Sequence, residues 1–397
     1  MAERAKGGSP YLPTFDGIRG LVVVMIVLAH LRLLSEYAPN SPVPLYLSRG
    51  MFFSVDFLFL ISAFVLFLPM AARGRVGSRR AFALKRAGRI VPNYYLCLLL
   101  AVLFMTLTSI GPAKSLPDPT PGDVVLHMLF LNMELGAGNL GLGVNPVVWT
   151  LSVIVIFYLL VPFVAMPFRR HPLLWIAGGL AVSALWRAGV EQRDPRLYVE
   201  FPLFIDDFVV GMGAALAYVK LRQSGAADRL RRLSLPVGAA AALALVVLAG
   251  LGGRQLQLGQ AIQQGESVPL SIAVAFAFAT FVVASAFLPS WAQWPLANGF
   301  SRWLGEVSYG VFLYHAFISF TVVHLTGLAG VGNPQGYLKL VAIVLPLSLL
   351  AAWVSYVTVE RPLRERVRRF AERYERPKAV ESGSPVDRRL GLGLERG

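Results

Sequence analysis

Long apolar runs recur along almost the whole chain. About ten runs of the length needed to cross a bilayer as a helix, roughly twenty residues each, lie near 17–35, 50–72, 90–110, 147–168, 173–188, 203–221, 234–252, 267–288, 305–328 and 338–359. In lipid, each backbone N–H and C=O must find a partner within the protein, which a helix provides for every residue. The runs therefore predict an all-α integral membrane protein, a bundle of about ten transmembrane helices.

The composition agrees with this prediction and removes one rival class. Charged residues make up 15% of the chain, against about 25% in soluble domains. In a soluble protein, the net charge of +15 would suggest a nucleic-acid partner. Here the basic residues are concentrated in every second loop between the apolar runs. Residues 73–89, after the second run, contain seven basic side chains and no acid, whereas 111–146 and 189–202 are balanced or poor in basic residues. By the positive-inside rule, both termini are predicted to be cytoplasmic, with no nucleic-acid partner.

One domain accounts for nearly all of the chain. We expect a transmembrane domain over 1–365 and a basic, disordered cytoplasmic tail over 366–397, in a multi-pass protein of the inner or plasma membrane. The first run is long enough to span the bilayer and lacks a convincing cleavage site, so no cleavable signal peptide is expected. The single cysteine, Cys97, excludes a disulfide within the chain, and no Cys/His cluster predicts a metal site.

Two ionisable side chains, which are energetically costly inside a membrane, lie at the ends of the segment "GIRGLVVVMIVLAH" (17–30). Arg19 and His30 are eleven residues apart, which places them on one face of a helix and roughly 16 Å apart along its axis. Ionisable residues inside a membrane span are functional-site candidates. The alternative is that Arg19 reaches the inner headgroups and His30 makes a polar contact between helices.

The second run supplies a carboxylate. Asp56, in "FFSVDFLFLISAF" (52–64), lies early in a span that runs opposite to the first, and therefore at a depth similar to that of His30. If the two meet, the carboxylate orients the imidazole and raises its basicity. The alternative is that Asp56 caps a helix or pairs near the interface.

Taken together, these motifs resemble the membrane acyltransferase family 3, bacterial proteins that O-acylate sugars, polysaccharides and antibiotics. The resemblance begins with "FDGIRG", the Arg19–His30 spacing and the Asp56 segment. It continues in order through "LKRAGRIVPNYY" (84–95), "VVWTLSVIVIFYLLVP" (147–162), "IDDFVVGM" (205–212), "LGEVSYGVFLYH" (304–315) and "VERPLR" (359–364).

This resemblance implies an O-acyltransferase that moves an acyl group from cytoplasmic acyl-CoA, a co-substrate rather than a tightly bound cofactor, to a hydroxyl of a sugar or glycan. It implies His30 as general base or acyl carrier, with Asp56 as a second catalytic residue. Donor phosphates would be bound by guanidinium groups, for which the candidates are Arg19, Arg86, Arg89 and Arg361.

Further side chains are candidates for the walls of the substrate cavity, and the long outer segment 111–146 is the candidate acceptor side. The cavity candidates are Trp149, Tyr158, Ser308, Tyr309 and His315. For each of them, core packing or a hydrogen bond between helices is the alternative.

One position departs from the family pattern. Ile154 stands where the fourth-run motif frequently has Glu, so Glu134, Asp206 or Asp207 would have to supply an acid, or the protein is an inactive relative. A transporter that uses Arg19, His30 and Asp56 as a polar pathway is the rival from another class, although no inverted repeat supports it.

Overall fold

The computed structural model describes residues 12–39, 42–108, 121–131, 145, 147–190, 200–257 and 267–375, and within them the chain is helical without a strand. The prediction of an all-α protein is confirmed. The helices are α1 (Pro13–Ser35), α2 (Pro42–Gly50), α3 (Ser54–Arg73), α4 (Arg79–Thr108), α5 (Pro121–Met128), α6 (Trp149–Arg170), α7 (Pro172–Val190), α8 (Ile205–Gln223), α9 (Ala227–Gln257), α10 (Ser267–Ser285), α11 (Ser290–Ala297), α12 (Gly299–Thr326), α13 (Pro334–Ser355) and α14 (Arg361–Glu372).

Within the described residues, eight helices are long and apolar enough to cross a membrane. Each of the ten predicted runs coincides with one long helix, and α4 and α7 are the two that fall outside the eight. The chain is a multi-pass membrane protein.

The directions of the helices bear on the number of crossings. Along α3 and α6, Phe59 lies beside Trp149, with ring centroids 6.2 Å apart, and Phe67 lies beside Phe168, at 5.4 Å. The residue numbers rise together, so α3 and α6 run parallel. Two parallel helices need a return between them, and α4 provides it.

The same argument applies to α8. Phe59 lies 5.4 Å from Phe208 and Phe64 lies 6.2 Å from Tyr218, so α3 and α8 also run parallel, and α7 provides the return between α6 and α8. These directions agree with ten crossings. The cytoplasmic location of both termini stays a prediction.

Helices α1 and α12 run parallel in very close contact, because glycines line their interface. A Cβ atom on Gly20 would overlap the side chain of Leu304, and one on Gly305 would overlap the carbonyl oxygen of Asp16, while Gly17 packs equally closely on Leu296 of α11. Only glycine lets two backbones approach so closely. This contact brings Arg19, which precedes Gly20, against α12.

The opposite ends of these two helices are also joined. In the turn that follows α12, the backbone N–H of Gly330 donates to the carbonyl of Leu34 at 3.1 Å, and that of Gly332 donates to Ser35 at 2.9 Å. The pair is thus fixed by glycine packing at one end and by backbone hydrogen bonds at the other.

Local sequence signals start and end α12 and α13. The side chain of Asn298 accepts from the backbone N–H of Ser301 at 2.9 Å, and that of Asn333 accepts from Gly336 at 2.8 Å. Asparagine at these N-cap positions satisfies a free N–H of the first turn. Gly327, with φ of 66°, ends α12 in the left-handed conformation that favours glycine.

The end of the bundle at which α1, α4 and α12 begin is here called the basic end. Helix α14 packs there against α4, where Val367 contacts Gly88 and Lys85 pairs with Glu375 at 2.7 Å. The prediction of disorder from residue 366 is therefore wrong for the part that α14 covers. The many arginines suggested disorder, but one face of α14 packs against the bundle. This face includes Val367 and the fully buried Ala371, four residues apart. Residues 376–397 lie outside the described part.

Candidate active site

Arg19 is held against α12 by several hydrogen bonds. Its Nε donates to Ser308 Oγ at 3.0 Å and to the carbonyl of Gly305 at 3.2 Å, and Nη2 donates to the same carbonyl. Asp16 lies 3.6 Å from Nη2. In the described structure Nη1 makes no such contact, so the immobilised guanidinium keeps two N–H donors with which it can bind an anion.

A cavity of about 280 Å³ lies beside this guanidinium at the basic end. Its polar wall comprises Asp16, Arg19, Ser62, Arg86, Arg89 and Tyr158, and apolar side chains from α1 and α3 complete it. Arg86 is placed over the ring of Tyr158, 5.7 Å from the ring centroid, a favourable cation–π contact. The predicted donor residues Arg19, Arg86 and Arg89 are thus brought together.

A second, more exposed cleft of about 390 Å³ adjoins this cavity. Arg86 and Arg89 line both, and Lys85, Arg364, Glu365 and Arg368 complete the cleft. Five cations against one carboxylate make an anion-binding surface, because several guanidinium groups can bond phosphate oxygens together.

The cavity continues inward into a small chamber of about 60 Å³. Four of the residues that line it also line the larger cavity: Arg19, Ser62, Arg89 and Tyr158. The rest of its wall is mostly apolar and comprises Leu58, Ile90, Leu151, Ile154, Ser308, Tyr309 and Phe312. The predicted cavity residues Tyr158, Ser308 and Tyr309 therefore line the chamber, and so does the departure from the family pattern, Ile154.

Two histidines face each other beyond Phe312, a residue of the chamber wall, and neither histidine lines the chamber itself. The rings of His30 and His315 are 5.2 Å apart, and that of Phe312, a chamber residue, is 6.0 Å from His315.

Backbone carbonyls fix the tautomer of each ring. His30 Nδ1 is 2.9 Å from the carbonyl of Ile26, and His315 Nδ1 is 2.8 Å from that of Phe312. A carbonyl only accepts, so the neutral ring carries its proton on Nδ1 and has a lone pair on Nε2. The His315 side chain is fully buried, and its Nε2 has no hydrogen-bond partner in the described structure.

Asp56 does not meet His30, so the expected His–Asp pair is wrong. It lies instead with Asp206 and Asp207, near Arg187. Arg187 Nη1 is 3.0 Å from Asp206 Oδ2, in a buried ion pair. Its side chain turns toward α8, which carries Asp206 and Asp207.

Two other candidates also lie away from the chamber. The Arg361 side chain is 60% exposed and pairs with Glu365 at 3.2 Å, so it lines neither the cavity nor the chamber. Trp149 packs between Phe59 and Phe204, with ring centroids 6.2 and 5.6 Å away. Packing, the alternative considered for Trp149, is what the structure shows.

A buried polar network that the sequence did not predict lies beside the cleft. Glu360, 1% exposed, accepts from Asn93 Nδ2 at 3.4 Å and lies 3.6 Å from Arg364 Nη1. Tyr314 donates to Asn93 Oδ1 at 2.7 Å. The available signal was the order of Glu360 and Arg364 in "VERPLR", at the end of an apolar run.

Most of the predicted acceptor segment 111–146 lies outside the described residues, including the candidate acid Glu134. Asn145 is described and buried, and its Nδ2 donates to the carbonyl of Leu313 at 2.9 Å. This bond ties the end of the segment to α12, three residues from Ala316 and two from His315.

Comparison with known proteins identifies the family of the chain. The model of a family described as an acyltransferase domain matches residues 12–357. The chain belongs to this acyltransferase family. It is 23% identical over 388 residues to the protein YrhL of Bacillus subtilis (strain 168), which is provisionally named as a peptidoglycan O-acetyltransferase. It is 22% identical over 389 residues to the peptidoglycan O-acetyltransferase OatA of Listeria monocytogenes serovar 1/2a.

These alignments cover 91% and 92% of this chain but 56% and 58% of the relatives. The chain therefore spans little more than half the length of the curated relatives it matches. No solved structure matches the chain.

Proposed function

We propose that the protein is a membrane O-acyltransferase that moves an acyl group from cytoplasmic acyl-CoA to a hydroxyl of a sugar or glycan. One observation carries the proposal: an arginine-lined cavity at the basic end narrows into a chamber whose wall residue Phe312 lies beside His315, and His315 faces His30. Membership of the acyltransferase family supports the reaction type. The names of the relatives support a glycan acceptor.

The basic end suits the donor because coenzyme A carries its phosphates at one end and its thioester at the other. Arg19, Arg86 and Arg89 bind phosphate oxygens, with Arg364 and Arg368 at the outer cleft. The uncharged arm then extends along α1. His30 is about 16 Å from Arg19 along that helix, which keeps donor phosphates and the reacting carbonyl well apart.

At the inner end, His30 Nε2 takes the proton of the acceptor hydroxyl as its oxygen attacks the thioester carbon. The new C–O bond forms, the C–S bond breaks, and the proton passes to the leaving thiolate, which gives the ester and free coenzyme A. Transient acylation of His30 Nε2, followed by transfer to the acceptor, is the alternative order of the same exchange.

The first test separates binding from chemistry. Wild-type protein, Arg19→Ala and His30→Ala are purified in one detergent, and binding of a non-hydrolysable acetyl-CoA analogue is measured by calorimetry. We expect Arg19→Ala to lose at least tenfold in affinity and His30→Ala to bind like wild type. Arg80→Ala, an exposed arginine on the same basic segment that lines neither cavity, is the matched control.

The second test measures transfer from radiolabelled acetyl-CoA to soluble peptidoglycan fragments. A general base contributes about 10²–10⁴-fold to rate, so His30→Ala should lose activity within that range. A folded wild-type protein that binds no acyl-CoA analogue would contradict the donor assignment. Movement of the label across the membrane of proteoliposomes without formation of an ester would favour the alternative function, a transporter.

A further inference from the structure

A large apolar groove lies on the outside of the bundle, apart from the site described above. Its volume is about 570 Å³, and it shares no lining residue with the arginine-lined cavity, the cleft or the chamber. Its described polar side chains are Lys220, Ser234 and Thr280. Both hydroxyls are already used, because Ser234 donates to the carbonyl of Arg231 and Thr280 to that of Phe276, each at 2.8 Å. Apart from Lys220, the side chains of the groove therefore offer a ligand hydrocarbon contacts.

Helix α8 forms the floor of this groove, here called the α8 groove, and α7, α9 and α10 form its walls. Small residues of α8, among them Gly213 and Ala217, make the floor low. The walls project outward: Leu173 of α7 is 81% exposed, Val237 of α9 is 42% exposed and Phe276 of α10 is 44% exposed. The α8 groove thus opens into the bilayer, where acyl chains are the apolar groups available to cover it.

The α8 groove spans one leaflet of the membrane. Helix α8 runs parallel to α3 and therefore ends at the basic end, where α9 begins. Its groove residues extend from Val210 to Leu221. These eleven steps cover roughly 16 Å along the helix axis, which is about half the thickness of the hydrocarbon core. The groove thus has the length of the acyl region of the leaflet at the basic end.

One positive charge stands where the lipid headgroups of that leaflet lie. Lys220 is exposed, and among the described residues it is the one charged side chain that lines the α8 groove. No carboxylate of the described residues pairs with it. The segment that follows adds exposed arginines against a single acid, with Arg222, Arg229, Arg231 and Arg232 opposite Asp228. An ammonium group binds phosphate as a point charge, and basic pockets between membrane helices bind anionic lipid headgroups.

We propose that the α8 groove is a binding site for an anionic phospholipid of the leaflet at the basic end. One acyl chain lies along α8 between the walls, and the headgroup phosphate is bound by Lys220. The charge at one end, the apolar interior and the one-leaflet length each match a part of this ligand. The inference does not rest on acyl transfer, and the bound lipid stabilises the folded protein by mass action.

The test counts lipids bound to the full-length protein. The protein is freed of lipid in a neutral detergent and titrated with dioleoyl phosphatidylglycerol or dioleoyl phosphatidylcholine, and native mass spectrometry measures the occupancy. We expect wild type to prefer phosphatidylglycerol. Lys220→Ala should weaken its binding about fivefold, the contribution of one basic residue near a membrane surface, whereas Lys220→Arg should keep the preference.

A second variant tests the apolar part of the site. Ala217→Phe fills the floor and should weaken binding of both lipids about tenfold or more, since each methylene group displaced from an apolar site weakens binding severalfold. Ala217→Leu gives a smaller loss in the same direction if Ala217→Phe does not fold, which thermal unfolding without lipid establishes. The matched controls are Arg229→Ala and Ala239→Phe, at exposed positions of α9 that do not line the groove, and both should bind like wild type.

Several results would overturn the proposal. Equal affinity of wild type for the two lipids removes the headgroup assignment, and an equal loss in Arg229→Ala shows only general attraction to the surface charge. Unchanged binding in a folded Ala217 variant places the lipid elsewhere. A dimer that Ala217→Phe dissociates identifies the α8 groove as an interface between two copies of the chain. None of these results bears on donor binding, which is measured separately with the acetyl-CoA analogue.

Discussion

Removing the positive charge from one buried cluster should lower the free energy of unfolding more than removing a negative charge. The cluster comprises Asp56, Asp206, Asp207 and Arg187. The Arg187 and Asp206 side chains are only 7% and 2% exposed, and their charged atoms are 3.0 Å apart. Breaking a buried pair by removing one partner costs about 3–5 kcal/mol, because the other charge stays buried without compensation. We expect Arg187→Met to cost this full amount, since it leaves three carboxyl groups without their nearby cation.

The reverse change should cost less. In Asp206→Asn the guanidinium still interacts with Asp56 and Asp207, so only one charged hydrogen-bond partner is lost, at about 1–3 kcal/mol. The double variant Arg187→Met/Asp206→Leu should be more stable than Arg187→Met alone, because apolar side chains often replace a buried pair at little cost.

Denaturant unfolding of all three variants in one detergent measures these differences as free energies. Arg170→Met, at an exposed position on α6, controls for the loss of one arginine and should lie within 0.5 kcal/mol of wild type, the usual range for surface changes. The reasoning is refuted if Asp206→Asn costs as much as Arg187→Met, or if the double variant costs the sum of both.

Three shorter predictions concern the site and its supports. Gly305→Ala should destabilise the protein by about 1–3 kcal/mol, as overpacking does, whereas Gly299→Ala, whose Cβ meets nothing within 4 Å, should not; thermal unfolding compares them. Arg364→Ala should weaken coenzyme A binding at least tenfold in calorimetry, while Arg361→Ala stays within twofold, and equal losses would argue against the cleft. His315→Gln should retain analogue binding but lose about 10²-fold or more in label transfer, so an unchanged rate would exclude a role in proton transfer.

The sequence predicted the order of the helices well and their lateral contacts poorly. Apolar runs and basic loops gave the order and directions of the helices, and the eleven-residue spacing gave the common face of Arg19 and His30. Nothing in a single run tells which neighbour a face meets, because the rotation of a helix is set by packing. For that reason His30 was expected beside Asp56, whereas the ring lies beside His315.

Arg364 lines the cleft, whereas the sequence predicted Arg361, and an irregular helical turn precedes both residues. A π-helical turn, Tyr356–Glu360, joins α13 to α14. Such a turn holds an extra residue and shifts the phase of the helix that follows. In the helix that follows the turn, Arg364 lines the cleft and Arg361 is exposed outside it, and no feature of the sequence predicts such a turn.

The double attachment of α1 to α12 determines which parts of the protein can move during turnover. Glycine contacts at the basic end and the hydrogen bonds from Gly330 and Gly332 at the other end restrain both sliding and spreading of the pair. The two histidines and Arg19 therefore travel as a single rigid body. We therefore expect the cavity to open to a donor or an acceptor by displacement of α3, α4 or α6 relative to the α1–α12 pair.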